Sequence, residues 1–162
     1  MQRIDKTNYY LDVAETVLKR GSCMRRNFGA VIVNRDHIIS SGYTGAPRGR
    51  ENCMDMNQCI RQKFEIPRGE RYEICRSVHA EANAIIHASR EDMIGSVLYL
   101  VGKEMNNLEY VKNAAPCSMC KRLIINSGIE KVIIRSEPVI FYIIKVDDWV
   151  KNDESLKNIK GY

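Results

Sequence analysis

Between residues 5 and 20 apolar side chains recur at helical spacing, with Tyr10, Val13, Ala14, Val17 and Leu18 falling on one face. This predicts an amphipathic helix, with Asp5 placed to cap its start and Gly21 to end it. The period then shortens. β-rich runs over residues 28–33 and 38–43 are separated by Asn34-Arg35-Asp36-His37, a hairpin-like connection that leaves His37 exposed. Gly42, Gly45, Pro47 and Gly49 mark a loop over residues 43–50. Residues 50–75 are polar and weakly patterned, an excursion long enough to need a function or something to tie it down. A second helix is expected over residues 79–90, a third strand over 97–101 and a polar connection over 102–115. A third helix should start at Pro116, where a first-turn proline is well placed, and stop before Gly128. A fourth strand follows over residues 129–135. The last β-rich run, 139–146, comes after Ser136-Glu137-Pro138, which is too short for a parallel crossover, so it should pair antiparallel. Three helices and five strands in this order predict an α/β fold of three layers, a five-stranded mixed sheet with helices on both faces.

The chain has 162 residues, suited to a single domain over 1–162 in which 146–162 form a short polar tail with one helical stretch near Trp149. Its hydrophobic fraction of 44% and charged fraction of 28% are those of a soluble globular protein. No apolar run approaches the roughly 20 residues of a membrane span, and residues 1–6 lack the apolar core of a signal peptide. The expected location is the cytoplasm, where cysteines are free or metal-bound more often than bridged. A net charge of +5 favours an anionic substrate. No arginine-rich helix or aromatic-basic motif accompanies it, which weighs against nucleic acid as the main partner.

Two stretches, each at an expected helix start, carry the chemistry: His79-Ala80-Glu81 and Pro116-Cys117-Ser118-Met119-Cys120. One helical turn brings the Cys117 and Cys120 sulfurs to the same side. A helix N-terminus also favours thiolates. With His79 they make three zinc ligands and leave a fourth position for water, the pattern of a catalytic site. Zinc brings the pKa of such a water to about 7. Glu81 points to another side of its helix and is the expected proton carrier, from the water to a ring nitrogen and then to a leaving amine. The Ala80 N–H is a natural donor to a base carbonyl. H-x-E followed by P-C-x-x-C is the signature of zinc deaminases acting on nucleobases. Alone, the C-x-x-C would also suit a redox pair. Cys23, Cys53, Cys59 and Cys75 could close a second, structural zinc site, or be small buried hydrophobes. Arg25, Arg26 and Arg48, on loops flanking strands, are candidates to grip a phosphate.

On these motifs, and on Arg26-Asn27-Phe28-Gly29-Ala30-Val31, Gly42-Tyr43-Thr44-Gly45-Ala46-Pro47-Arg48-Gly49 and His79-Ala80-Glu81-Ala82-Asn83-Ala84-Ile85, the chain resembles the cytidine and deoxycytidylate deaminase superfamily over residues 5–135. Within it the chain looks most like deoxycytidylate deaminases. The resemblance implies hydrolysis of dCMP to dUMP and ammonia for thymidylate supply, in a homo-hexamer often activated by dCTP and inhibited by dTTP. It also implies a sugar or effector contact at Thr44, where the family usually has Asn, an effector or subunit contact at Arg90, and in some relatives a second zinc at positions that include Cys23 and Cys53. Asn113 replaces a common Thr. Deamination of free cytidine, guanine or tRNA adenosine stays open as an alternative, as does a zinc-stabilised interaction module without activity.

Overall fold

The computed structural model describes residues 2–153 and residue 157. Helix α1 (Lys6–Leu18) starts where the Asp5 carboxylate accepts the Asn8 N–H at 2.9 Å. Strands β1 (Arg26–Asn34) and β2 (His37–Tyr43) form the expected hairpin. Its two turn residues, Arg35 and Asp36, have φ of 47° and 65°, the twist that a two-residue hairpin loop needs. His37 opens β2 and is exposed. The polar excursion is not featureless: it holds α2 (Cys53–Met56), α3 (Ile60–Lys63) and a 3-10 turn (Tyr72–Ile74).

Helix α4 (Ala80–Ile86) is shorter than the pattern suggested. The Ser89 hydroxyl accepts the Asp92 N–H at 3.1 Å and starts a separate helix, α5 (Arg90–Met93), so the apolar stretch breaks at residues 87–89. Strand β3 (Val97–Glu104) runs three residues past the expected end, because Phe28, Asn27 and Arg26 pair with Gly102, Lys103 and Glu104. Helix α6 (Ser118–Ser127) has Cys117 as its N-cap and stops at Gly128, whose φ of 84° is the left-handed end that glycine permits. Strands β4 (Lys131–Glu137) and β5 (Ile140–Lys145) pair antiparallel, as the short connection required. Helix α7 (Val146–Lys151) follows at once and is the helical stretch expected near Trp149. Beyond residue 153 the expected tail, Lys157 aside, lies outside the described residues.

The sheet order is β2-β1-β3-β4-β5, and only β3 and β4 are parallel, with α6 in the crossover between them. The sheet is covered on both faces. On one, Tyr10, Leu11, Ala14 and Leu18 of α1 pack on Val31, Val33, Tyr99, Val101 and Ile133. On the other, α4 and α6 touch each other and pack on Ala30, Ile32, Leu98, Leu100, Val132 and Ile134. Each fully buried Leu or Ile contributes about 1.5–3 kcal/mol, so this second layer holds the starts of α4 and α6 firmly. Under α1, the nearly buried Arg135 binds Asp12 at 2.7 Å and Glu15 at 2.9 Å. No helix among the described residues is long and apolar enough to cross a membrane.

Candidate active site

His79 is the N-cap of α4 and Cys117 the N-cap of α6, both in extended conformation at the point where the chain turns into a helix. The approach to His79 is fixed by paired hydrogen bonds between Gly45 and Val78, at 3.2 and 2.8 Å. Gly42 lets α4 lie directly on β2, for a Cβ there would stand 2.4 Å from the Ala80 carbonyl oxygen. One turn into α6, Cys120 reaches the same point as Cys117. The His79 Nδ1 lies 3.2 Å from the Cys117 sulfur and 3.5 Å from that of Cys120. All three potential ligand atoms are within 4.8 Å of one another. Zinc–sulfur and zinc–nitrogen bonds of ordinary length, at a tetrahedral angle, set their ends roughly 3.5 Å apart. The two imidazole–sulfur distances therefore match those around a zinc ion, and the trio could hold one.

Glu81 is 5% exposed. Burial raises its pKa, and the His79 charge only partly opposes this. Burial works against protonation of His79, but the Cys117 thiol and the Glu81 charge outweigh it and leave its pKa raised. The Cys120 thiol is pushed up by its hydrogen bond with Cys117 and by burial. A doubly charged cation inverts this balance, since coordinated thiols lose their protons outright. A buried carboxyl with a raised pKa beside three converging metal-type ligands is the arrangement that a proton carrier needs.

These groups open into a cavity of about 1110 Å³, lined by His79, Glu81 and Cys117 and also by Tyr72, Trp149 and Val150. Arg25, Arg26, Arg68, Arg76, Lys121 and Arg122 also line it, which makes it a cationic pocket. Arg25 and Arg26 are thus among the lining residues, and Arg26 is already paired with Glu104 at 2.7 Å. Thr44 lines the cavity too, with its hydroxyl occupied by the Phe28 N–H at 3.0 Å. Ala80 is fully buried at the start of α4, where a first-turn N–H has no helical carbonyl to meet.

Arg48 corrects the expectation. It is not among the residues that line the cavity. The turn after Pro47, closed by the Arg50 N–H, sends it towards the end of α4, where its Nη2 meets the His87 Nε2 at 2.9 Å. Arg90 also lies away from the cavity, its Nε donating to the Asn126 carbonyl at 3.0 Å. Cys23, Cys53, Cys59 and Cys75 line this same cavity, and burial raises the thiol pKa of Cys53 and Cys75. None of the six cysteines is bridged. Among the described residues only His79, Cys117 and Cys120 bring three metal-type ligands within 4.8 Å; of the two readings of the outlying thiols, Cys23 and Cys59 act on Cys53, and Cys23 and Cys53 on Cys75, without reaching that spacing. The sequence reading missed Arg68, Arg76, Lys121, Arg122, Tyr72 and Trp149. Lys121 and Arg122 carried a signal, since they follow Cys120 directly on the helix whose start holds two ligands.

Comparison with known proteins agrees with this geometry. Residues 4–136 match the family described as the cytidine and deoxycytidylate deaminase zinc-binding region. A deoxycytidylate deaminase of Mycobacterium phage D29 is 35% identical over 142 residues, 85% of this chain and 99% of that protein. The deoxycytidylate deaminase of Schizosaccharomyces pombe is 33% identical over 78% of this chain, which spans only 35% of the yeast protein. Among solved structures, the dCMP deaminase of cyanophage S-TIM5 in apo form superposes with a TM-score of 0.58 at 25% identity, covering 85% of this chain and 88% of that one.

Proposed function

We propose that this chain, which belongs to the cytidine and deoxycytidylate deaminase zinc-binding family, hydrolyses dCMP to dUMP and ammonia and so contributes to thymidylate precursor supply. The observation that carries this is the likeness to the phage deoxycytidylate deaminase across 99% of that protein's length. The cationic cavity beside the His79, Cys117 and Cys120 trio supports it.

In this reading His79, Cys117 and Cys120 hold the zinc. Bound there, the ion supplies the Lewis acidity that brings a water to a pKa near neutrality. With the ion in place, Glu81 would take a proton from the attacking water, pass it to the ring nitrogen of cytosine, and then carry the second proton to the departing amine. Its burial suits both halves of that work, because burial raises the carboxyl's pKa above the ordinary carboxylate range and so eases the return of the proton. The Ala80 N–H orients the base carbonyl. Arg25, Arg26, Lys121 and Arg122 meet the monophosphate. The balance is one water consumed and one ammonia released for each dCMP.

A substrate panel tests the proposal by ammonia release from dCMP, deoxycytidine, cytidine, guanine and tRNA. A phosphate held by charge-assisted bonds worth about 1.5–3 kcal/mol each predicts kcat/KM for dCMP at least about 100-fold above that for deoxycytidine. Equal values for the two would refute phosphate recognition, and salt-sensitive turnover of tRNA alone would replace the substrate. We extend the proposal to a homo-hexamer with dCTP and dTTP as effectors, supported by apolar surface at Ile38, Tyr43 and Ile86, of which Ile86 is 72% exposed. Sedimentation as a monomer, unchanged by either nucleotide, would remove that extension.

A further inference from the structure

A histidine that binds a metal is ordinarily held in orientation by its second ring nitrogen, which donates to a carboxylate, a carbonyl or water. Here no carboxylate or carbonyl of the described residues takes that part. The Nδ1 of His79 faces the two sulfurs, and Nε2 meets no hydrogen-bond partner among the described residues. What touches the ring instead is Tyr72, edge-on, with ring centroids 5.2 Å apart and planes at 82°. Tyr72 is in turn covered by the Arg61 guanidinium, 4.3 Å from its ring centre. Arg61 is 3% exposed, an unusual burial for a cation with no carboxylate within ion-pair distance among the described residues. Its fork is fixed by two backbone acceptors, the Glu70 carbonyl and the Pro67 carbonyl, the latter at 2.7 Å.

We propose that Arg61 is a positioning residue for the metal centre, holding the Tyr72 ring so that this ring sets the plane of the His79 imidazole. The stack explains why residues 57–76 fold as they do. Arg61 gathers the carbonyls of the loop after α3, the loop places the 3-10 turn, and the turn delivers Tyr72 to His79. Face and edge are complementary throughout. The guanidinium lies over the negative face of the phenol ring, and the near-perpendicular approach of Tyr72 to His79 is a favoured aromatic arrangement. This inference rests on the zinc reading of the site and is independent of which base is deaminated.

The test is zinc affinity, read by competition with a chromogenic chelator on the purified full chain, with far-ultraviolet circular dichroism reporting the fold of each variant. Tyr72→Leu keeps apolar bulk and removes the ring. It is expected to weaken zinc binding by about 10–100-fold, the usual effect of losing a group that orients a ligand, and to lower kcat with less than about a threefold change in KM for dCMP. Tyr72→Phe keeps the ring and should stay within about threefold of the wild type in zinc affinity. Arg61→Gln should repeat the Tyr72→Leu loss more mildly, and the double variant should be no worse than Tyr72→Leu, because Arg61 acts through Tyr72. Wild-type zinc affinity in Tyr72→Leu overturns the proposal, as does a raised KM with zinc binding intact. Losses that multiply in the double variant also overturn it. Should Tyr72→Leu fail to fold, Arg61→Gln decides, and unchanged zinc affinity there rejects the role. Failure of dCMP turnover in the wild type, with the zinc results as expected, would count against the substrate and not against Arg61.

Discussion

Replacing Gly42 by alanine adds a single methyl group, and the structure says where it would go. A Cβ at Gly42 would lie 2.3 Å from the Ala84 nitrogen, 2.4 Å from the Ala80 oxygen and 2.8 Å from the Asn83 carbonyl carbon. All three are backbone atoms of α4, so no side chain can turn aside to relieve the contact. For the nitrogen to reach 3.4 Å, the near limit of ordinary contact, the helix has to retreat by about 1.1 Å. It is also tied to β2 by the Ser40 hydroxyl on the Ala84 carbonyl and by the Asn83 amide on the Tyr43 carbonyl, both at 2.8 Å. Overpacking of this kind costs about 1–3 kcal/mol, which lowers Tm by roughly 3–10 °C in a chain of this size. The functional effect should be larger. Helix α4 carries His79 and Glu81 at its start, and a shift of about 1 Å in reacting groups costs on the order of 100-fold in rate. Gly45→Ala is the matched control, because its Cβ meets only side-chain atoms, Ser22 Oγ at 3.1 Å and the Tyr43 ring at 3.5 and 3.7 Å. Thermal denaturation and dCMP turnover on both variants are the assay. Gly42→Ala with wild-type Tm and kcat would refute the close contact of α4 with β2 as the device that places the site.

Glu81→Gln should lower kcat for dCMP by about 100-fold to 10⁴-fold while zinc content and Tm stay at wild-type values, and near-normal turnover would remove Glu81 from the reaction. Arg48→Ala should leave KM for dCMP unchanged, since that side chain faces His87, whereas Arg25→Ala should raise it by roughly 10-fold or more; the reverse ranking would overturn the placement of the phosphate. Glu15→Gln tests the ion network under α1. Burial pushes the Glu15 carboxyl up, but hydrogen bonds from Lys103, Tyr110 and Arg135 outweigh this and leave its pKa lowered. A lowered carboxylate stabilises the fold above its unfolded pKa of about 4.3, and that stability is lost as pH falls through the folded value. The variant should therefore be about 1 kcal/mol less stable at pH 7, and urea titrations should converge with wild type in acid. A gap that does not narrow at all as the pH falls would contradict the assignment.

Features set by short-range chemistry were legible before the structure. Asp5 and Gly128 mark helix ends because a carboxylate and a left-handed glycine satisfy the terminal backbone groups locally. The antiparallel pairing of β4 with β5 followed from the length of the link between them. The metal trio was legible for a similar reason, in that His79 and Cys117 each stand at a helix start, and the C-x-x-C spacing aligns Cys120 with Cys117. What escaped depends on where distant segments meet. The break at residues 87–89 comes from a new cap at Ser89 inside a run that is apolar throughout. Arg48 looked like its neighbours Arg25 and Arg26, and only the turn after Pro47 sends it to His87. Four scattered cysteines left a second closed metal site and plain burial both open; they come near enough for Cys23 and Cys59 to act on the Cys53 thiol, yet no three of them bring their sulfurs within 4.8 Å of one another, a spacing that no sequence interval could foretell. Trp149 comes from the chain's last described helix, and no local pattern tied it to a site built nearly 30 residues earlier.

Zinc-edge X-ray absorption on purified, active protein tests the central claim most directly. Stoichiometric zinc with two sulfur neighbours near 2.3 Å and two lighter ones near 2.0–2.1 Å, one sulfur fewer in Cys120→Ser, is the expected result. Full dCMP turnover by protein free of metal, or a zinc shell without sulfur, would contradict it.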